Sequence, residues 1–94
     1  MDLKKFKVFV RGENFLMNID GVERRYGFYT TRFVEAQSEE EAELAVVNLL
    51  RNDPRLVQAV MNEKIDPPMM YAEEITELKS FGEYQVPGAG FSFF

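Results

Sequence analysis

Hydrophobic and polar residues alternate through the first part of the chain, as they do in β-strands that bury one face. Two segments, 4–11 and 14–19, carry this alternation, and Gly12-Glu13-Asn14 connects them. The apolar residues fall on one side within each segment: Phe6, Val8 and Val10, then Phe15, Met17 and Ile19. The pattern predicts two strands joined as a hairpin, with both apolar sides on the same face of a sheet.

A third strand is predicted from about residue 24 to Ala36, after a turn at Asp20-Gly21, a dipeptide that tolerates positive φ angles. This segment carries large apolar groups on both of its sides. They are Phe28 and Val34 on one side, and Tyr29 and Phe33 on the other, with Tyr26 also available. A strand that is apolar on both sides is expected to be buried on both faces.

An amphipathic helix is predicted to follow the third strand and to end near Arg51. Ser38 stands three positions before Glu41, which is the capping-box spacing of a helix start. Glutamates crowd the first turn, where the helix dipole favours negative charge. The apolar residues recur at three- and four-residue spacing and form a single stripe for the core: Ala42, Ala45, Val46, Leu49 and Leu50, with Val47 on its flank.

Asp53-Pro54 indicates the start of a second, shorter helix over about 55–61. Aspartate is a favoured N-cap, and proline is favoured at the first helical position because its missing N–H needs no partner there. The buried edge of this helix is predicted to contain four apolar residues: Leu56, Val57, Val60 and Met61.

Residues 69–78 are predicted to form a fourth strand whose alternation is interrupted. Each side of the strand combines apolar residues with glutamate, Glu73 and Glu77 on one side and Glu74 on the other. A bulge near Glu73 would reconcile the two registers, because one extra residue re-aims the side chains that follow it. An edge position with one weakly buried face, or a short helical turn, are the alternatives.

The C-terminal segment 81–94 contains Pro87, Gly88 and Gly90, so regular structure is not expected there. It is nevertheless rich in aromatic residues, which disordered tails usually lack. These residues are Phe81, Tyr84, Phe91, Phe93 and Phe94. We therefore predict a single α+β domain over residues 1–80 and an irregular aromatic tail over 81–94 that docks on the domain or on a partner subunit.

The order of these elements predicts an α+β fold. Three strands form an antiparallel meander, the two helices provide a crossover, and the fourth strand returns to the sheet of a two-layer sandwich. With a right-handed crossover, the fourth strand would lie parallel beside the first or the third strand. The long helix is expected to cover the sheet face that carries the apolar residues of the first two strands.

The opposite sheet face is left with apolar side chains that no predicted element covers. A large apolar patch of this kind indicates an interaction surface. Either the aromatic tail or the same face of a second subunit would cover it, and in a two-fold dimer the tail would be free to cross to the partner. We predict a homodimer to which the tail contributes, with these interface residues: Phe9, Leu16, Tyr29, Phe33, Phe91, Phe93 and Phe94.

Composition narrows the possible chemistry. The 94 residues include no cysteine and no histidine, which excludes disulfides, thiolate nucleophiles, zinc sites of the usual kind and imidazole proton shuttles. A formal net charge of -5 argues against nucleic-acid binding. No apolar run reaches the roughly 18 residues of a membrane-spanning helix, and the N-terminus lacks a signal-peptide pattern. We expect a cytoplasmic protein that does not contact a membrane.

Carboxylates and arginines supply the remaining candidates for a site. Glu73 and Glu77 share one side of the fourth strand, but strand rise separates them by about 13 Å, which is too far for a shared metal ion. Arg11 and Arg32, with nearby strand hydroxyls, form a candidate anion site, because guanidinium groups pair well with phosphate and carboxylate. Ion pairs with neighbouring glutamates would explain these arginines equally well.

The main hypothesis is a small non-enzymatic protein that acts through self-association and contact with a protein partner. It has no predicted catalytic residue, metal site or cofactor. The alternative is a regulatory domain that binds a small molecule or an anion at a subunit junction. An enzyme restricted to carboxylates, tyrosines and arginines is the least favoured class, because acid–base and nucleophilic catalysis rely mostly on residues that this chain lacks.

Overall fold

The computed structural model describes residues 3–59, 61–62 and 65–94 and shows a small α+β fold. The elements are, in chain order, β1 (Lys4–Ile19), β2 (Val22–Ala36), α1 (Glu39–Arg51), α2 (Pro54–Ala59), β3 (Met69–Leu78) and β4 (Ser92–Phe93). Four strands form one sheet in the order β3-β1-β2-β4, and every neighbouring pair is antiparallel. The core lies between one face of this sheet and α1, with Leu56 of α2 at its margin.

The predicted hairpin at Gly12-Glu13-Asn14 is wrong, because the chain continues there as one strand of 16 residues. Gly12 pairs with Phe28 and Phe15 pairs with Tyr26, so Glu13 and Asn14 together lie opposite a single residue of β2. This is a β-bulge, and Asn14 adopts a positive φ of 61° in it. The one extra residue inverts the alternation, so the apolar residues on both sides of the bulge point to the same face.

Asn14 also connects the bulge to the rest of the molecule. Its side-chain amide donates to the Asp66 carboxylate at 2.8 Å and accepts from the Arg25 guanidinium at 2.7 Å. Asn62 donates to the backbone oxygens of Asn14 at 2.8 Å and Asp66 at 2.9 Å, and accepts from the Leu16 N–H at 2.8 Å. The connection between α2 and β3 is therefore fastened to the middle of β1.

Because two predicted strands are one continuous strand, β3 runs in the opposite direction to the one predicted. Because β1 pairs antiparallel with both β2 and β3, the strand over 69–78 is not parallel to its neighbour, contrary to the prediction. The strands β2 and β3 run in the same direction on either side of β1. In place of the predicted three-stranded meander, the structure has a two-stranded hairpin of β1 and β2. The two helices connect this hairpin to β3, on the far side of β1.

Two local predictions about the strands are confirmed. Asp20 and Gly21 make the turn between β1 and β2, with positive φ angles of 53° and 83°. In β3 a bulge falls at Glu73, because Phe9 pairs with Glu74 whereas Val10 pairs with Ala72. The bulge directs Ala72 and Ile75 to the same face, where both pack against the core.

The helix prediction is confirmed for α1. The Ser38 hydroxyl accepts from the Glu41 N–H at 3.2 Å, and the Glu41 carboxylate accepts from the Gln37 N–H at 2.9 Å, one residue before the cap. Three residues of the predicted stripe are fully buried: Ala42, Val46 and Leu50. Leu49 lies at the edge of this stripe and is 39% exposed.

The short helix α2 differs from its prediction. It ends at Ala59, and among the described residues of the predicted buried edge only Leu56 is buried, at 3% exposure. Val57 and Met61 are 59% and 44% exposed, and Val60 lies outside the described residues.

Gly12 is required by the packing of the core. A Cβ atom at this position would lie 2.2 Å from Cε2 of Phe28, a ring that is itself completely buried. The aromatic ring therefore occupies the space above the glycine, directly before the bulge. Gly90, in contrast, has no atom within 4 Å of the position that a Cβ would take.

We predict that Gly12→Ala lowers the free energy of unfolding by about 1–3 kcal/mol, the usual cost of forcing an extra carbon into a packed core. Urea denaturation followed by circular dichroism measures it. Gly90→Ala is the matched control and should change stability by less than about 0.5 kcal/mol. Equal unfolding midpoints for the two variants would show that Phe28 does not pack over Gly12.

Candidate functional site

The C-terminal segment 81–94 lies along β2 and closes its free edge. Phe33 donates its N–H to the Pro87 oxygen at 2.9 Å, and Gly27 and Phe94 exchange two backbone hydrogen bonds of 2.9 Å each. Between these points Phe93 and Ser92 form the β4 pairs with β2. We call 81–94 the docked tail.

Arg32 holds the middle of the docked tail. Its side chain is on the core face of β2 and is only 3% exposed. The guanidinium donates from Nη1 to the Gly90 oxygen at 3.1 Å and to the Thr31 oxygen at 3.0 Å, and its carbon lies 4.9 Å from the centroid of the Phe91 ring. Thr30 adds a hydroxyl that donates to the same Gly90 oxygen. Burial lowers the pKa of Arg32, and the nearby Arg55 guanidinium lowers it further.

A second arginine also contacts the Phe91 ring. Arg55 of α2 places its guanidinium carbon 4.8 Å from the Phe91 centroid. The same guanidinium binds both carboxylate oxygens of Asp53, at 3.1 and 2.7 Å. This hydrogen bonding lowers the pKa of Asp53, whose side chain is only 14% exposed. The tail is thus joined to β2 and α2 through one aromatic ring.

The sheet face opposite α1 carries three neighbouring aromatic rings, Phe9, Tyr29 and Phe94, which we call the aromatic row. Phe9 and Tyr29 stack with centroids 5.4 Å apart and an interplanar angle of 8°. Tyr29 and Phe94 lie 5.0 Å apart at 36°. Tyr29 is 41% exposed and Phe94 is 51% exposed, so solvent reaches much of the row. Next to it is a depression of about 360 Å³ whose polar lining includes Thr31 and Ser92.

The docked tail supplies Phe94 to this row through a close approach at Gly27. A Cβ at Gly27 would lie 2.4 Å from the Phe94 ring, so this ring occupies the space that a side chain at position 27 would take. Further along the same face, Phe33 packs against Tyr84 at 4.6 Å and Phe81 at 6.2 Å. The tail therefore covers Phe33 but leaves the aromatic row open.

One charged group on this face, Arg11, is already paired within the chain. Arg11 lies 5.1 Å from the Tyr71 ring centroid and forms ion pairs with Glu13 and Glu73. The hydrogen bond with Glu73 raises the pKa of Arg11. The aromatic row also has polar neighbours, since Phe9 pairs with Thr31 of β2 and with Glu74 of β3.

The residues predicted for an interface separate into groups. Phe9, Tyr29 and Phe94 meet in the aromatic row, whereas Phe33 is 7% exposed beneath the docked tail. Phe91 and Phe93 lie on the core side and pack against Phe28 at 5.2 and 6.1 Å. Leu16 is separated from Phe9 by the bulge and pairs with Arg25.

The candidate anion site of Arg11 and Arg32 is not assembled. Arg11 pairs with Tyr29 and points to the face of the aromatic row, whereas Arg32 pairs with Val8 and points to the core. The two guanidinium groups are thus on opposite faces of the sheet, because successive side chains along a strand alternate between its faces and the partners of the two arginines belong to different faces. Each has a structural partner instead, Glu73 for Arg11 and Phe91 for Arg32.

The polar anchors of the tail, Thr30, Arg32, Asp53 and Arg55, were not predicted to act in this way. The sequence does contain one signal for the first two. Thr30 and Arg32 occupy alternate positions between Phe28 and Val34, on the apolar side of the strand. Polar residues at buried positions need partners, and here the partner is the tail backbone.

No protein-family model matches the chain, and searches of curated proteins and of solved structures give no match either. Among the residues that the structure describes, no three carboxylates come together as metal ligands would. None of the described helices is long and apolar enough to span a bilayer.

Arg32→Lys is expected to loosen the docked tail, because lysine keeps the charge but loses the planar fork that reaches Gly90 and stacks on Phe91. Hydrogen exchange at the Gly27 and Phe33 amides, which bond to the tail, should accelerate about ten- to hundredfold, as loss of a charge-assisted bond implies.

Arg11→Lys serves as its control, since Arg11 pairs with Glu13 and Glu73 and these bonds do not involve the tail. Exchange at Gly27 and Phe33 should be unchanged in it. An Arg32→Lys protein with wild-type exchange at both amides would show that Arg32 does not hold the tail.

Acid should abolish the contribution of Asp53 to stability. Because its pKa in the folded protein is lowered, the carboxylate stabilises the fold above the unfolded-state pKa of about 3.9, and this is lost as pH falls through the folded-state value. Asp53→Asn keeps an N-cap side chain and removes only the charge. Urea denaturation should show the variant to be less stable at pH 7, with the difference shrinking as pH falls through the folded-state pKa of Asp53.

Asp66 adds acid sensitivity to both proteins equally, since hydrogen bonds from Asn14 and Arg25 lower its pKa as well. Asp20→Asn, a change in the exposed turn, should leave stability nearly unchanged at either pH. A gap between wild type and Asp53→Asn that stays constant from neutral to acid pH would contradict the ion-pair role.

Proposed function

We propose that the protein is a non-enzymatic association module that forms a homodimer through the aromatic row. The observation that carries this proposal is the exposure of the row: Tyr29 and Phe94 are 41% and 51% exposed although they stack in one continuous arrangement with Phe9. Aromatic side chains of this kind are the usual anchors of protein interfaces.

A second copy of the chain is the occupant that the geometry favours. A sheet face with large apolar groups packs naturally against another sheet face, and a two-fold axis would place each aromatic row on its counterpart. Such an arrangement closes on itself and needs no further component. The charge of Arg11, beside the row, is already compensated by Glu13 and Glu73, so this arginine requires no ion pair from the second subunit.

In this proposal the docked tail is part of the dimer interface. Phe94 is held over Gly27 and against Tyr29 by backbone hydrogen bonds, so the tail of each subunit contributes one ring to the row. Docking in the same subunit is supported by these contacts. A further protein partner and a cytoplasmic location belong to the same proposal, and the absence of cysteine fits a reducing compartment.

A second candidate function is the binding of a small molecule beside the row. The depression of about 360 Å³ supports it, because this volume is within the range of ligand sites and the hydroxyls of Thr31 and Ser92 line it. Arg11 and Arg32 cannot serve it together. A regulatory ligand at this place would be neutral and aromatic, stacked on Phe9 or Tyr29.

Light scattering of the full chain distinguishes these functions. We expect a mass of twice 10.9 kDa at micromolar concentration, and a shift to 10.9 kDa for Tyr29→Ser because the anchor ring is lost. Leu44→Ser is the matched control, since Leu44 is 64% exposed on the outer side of α1, and it should remain dimeric.

A chain that ends at Gln85 tests the contribution of the tail and should lose the dimer as well. A wild-type protein that is monomeric at every concentration would overturn the homodimer. Dimers that survive both Tyr29→Ser and truncation would place the interface elsewhere.

A further inference from the structure

A second cleft lies on the other side of the sheet, between the C-terminal end of α1, α2 and the start of β3. Its volume is about 490 Å³, within the range of small-molecule sites. The floor consists of core residues that are at most 3% exposed, namely Phe15, Leu50 and Leu56. Because these residues belong to the packed core, the floor exists before any ligand binds.

The walls of the cleft are apolar and open to solvent. Val57 of α2 is 59% exposed, and Met69 at the start of β3 is 46% exposed. Methionine side chains adapt to the shape of what they contact, and Met69 and Met70 line the same wall. Pro67 and Pro68 form a rim whose backbone is restricted. The site thus suits a flexible hydrocarbon group better than a rigid polar one.

Among the described residues that line the cleft, one has a basic side chain. This residue is Arg51, in the last turn of α1. Arg11, Arg25 and Arg55 pair with Glu73, Asp66 and Asp53, whereas within the described part of the chain Arg51 forms no ion pair. A guanidinium group at the edge of an apolar cleft is suited to a carboxylate, which it binds through two parallel hydrogen bonds.

The α1 terminus fixes where that carboxylate must lie. The last carbonyl groups of a helix carry partial negative charge, so an anion is disfavoured against the backbone there. At the tip of the Arg51 side chain the same anion is favoured. The arrangement therefore selects an amphiphile with its charge at the rim and its apolar part on the floor.

We propose that this cleft binds a small amphiphilic carboxylate, with its hydrocarbon part over Phe15, Leu50 and Leu56 and its carboxylate on Arg51. The neighbouring carbons of the ligand contact Val57 and Met69. This site is on the opposite side of the sheet from the aromatic row, and its occupation does not depend on the proposed dimer.

Octanoate is the probe, titrated below its aggregation concentration while amide chemical shifts are followed by NMR. We expect saturable shifts confined to cleft residues such as Val47, Leu56 and Met70. Octanol is the neutral compound of the same chain length and should bind about three- to tenfold more weakly. The free-energy difference that corresponds to this ratio lies between that of an exposed ion pair and that of a charge-assisted hydrogen bond.

Two variants test the two halves of the ligand. Arg51→Gln should lower the affinity for octanoate by the same factor and leave the affinity for octanol unchanged. Arg24→Gln is the control, because Arg24 stacks on Tyr26, and it should change neither affinity. Val57→Glu adds a negative charge to an exposed wall position, so the fold is kept and octanoate binding should be lost.

Three results would overturn the proposal. They are the absence of saturable shifts, equal affinity of octanoate for wild type and Arg51→Gln, and shifts centred on Tyr29 instead of Leu56. Light scattering of the same samples gives the mass of the assembly independently of ligand binding. A failure of octanoate to bind is therefore distinguishable from a failure of the protein to dimerise.

Discussion

The rest of the structure depends on the bulge at Glu13 and Asn14. A regular strand of 16 residues would place Phe6 and Phe15 on opposite faces, and half of its apolar residues would then face away from α1. One extra residue restores a common face, so β1 pairs with β2 on both sides of the bulge while β3 pairs with the part up to Glu13. The side chain of Asn14 also binds Asp66, so the same irregularity fixes the position at which the chain returns from α2.

The two edges of the sheet differ in what lies beside them. At the β2 edge the tail pairs through β4, and the Arg32 side chain adds a further connection by binding the backbone oxygens of Thr31 and Gly90. At the β3 edge no strand is added among the described residues. There the bulge at Glu73 and the acidic side chains of Glu74 and Glu77 oppose pairing with another chain, as charges and bulges on edge strands generally do.

Sequence periodicity was sufficient to predict which residues face the core side of the sheet, but not to predict the order and direction of the strands. A hairpin and a bulge both reverse the alternation between Val10 and Phe15, so the pattern predicted the correct buried side and the wrong chain direction. The Glu73 bulge and the Ser38 cap were predictable because their signals are local. The pairing of Arg32 with the tail was not, since it requires knowledge of which segment lies beside β2. The separation of Arg11 from Arg32 likewise required the register.

The environment of Phe28 shows why the tail is more than a cover. This residue is completely buried although its strand is next to the sheet edge, and three rings surround it: Phe15 at 5.0 Å, Phe91 at 5.2 Å and Phe93 at 6.1 Å. Two of the three come from the tail. Without them one side of Phe28 would face water, and burial of an aromatic ring is among the larger single contributions to a small core. The tail therefore completes the core on one side of the sheet and, through Phe94, the aromatic row on the other.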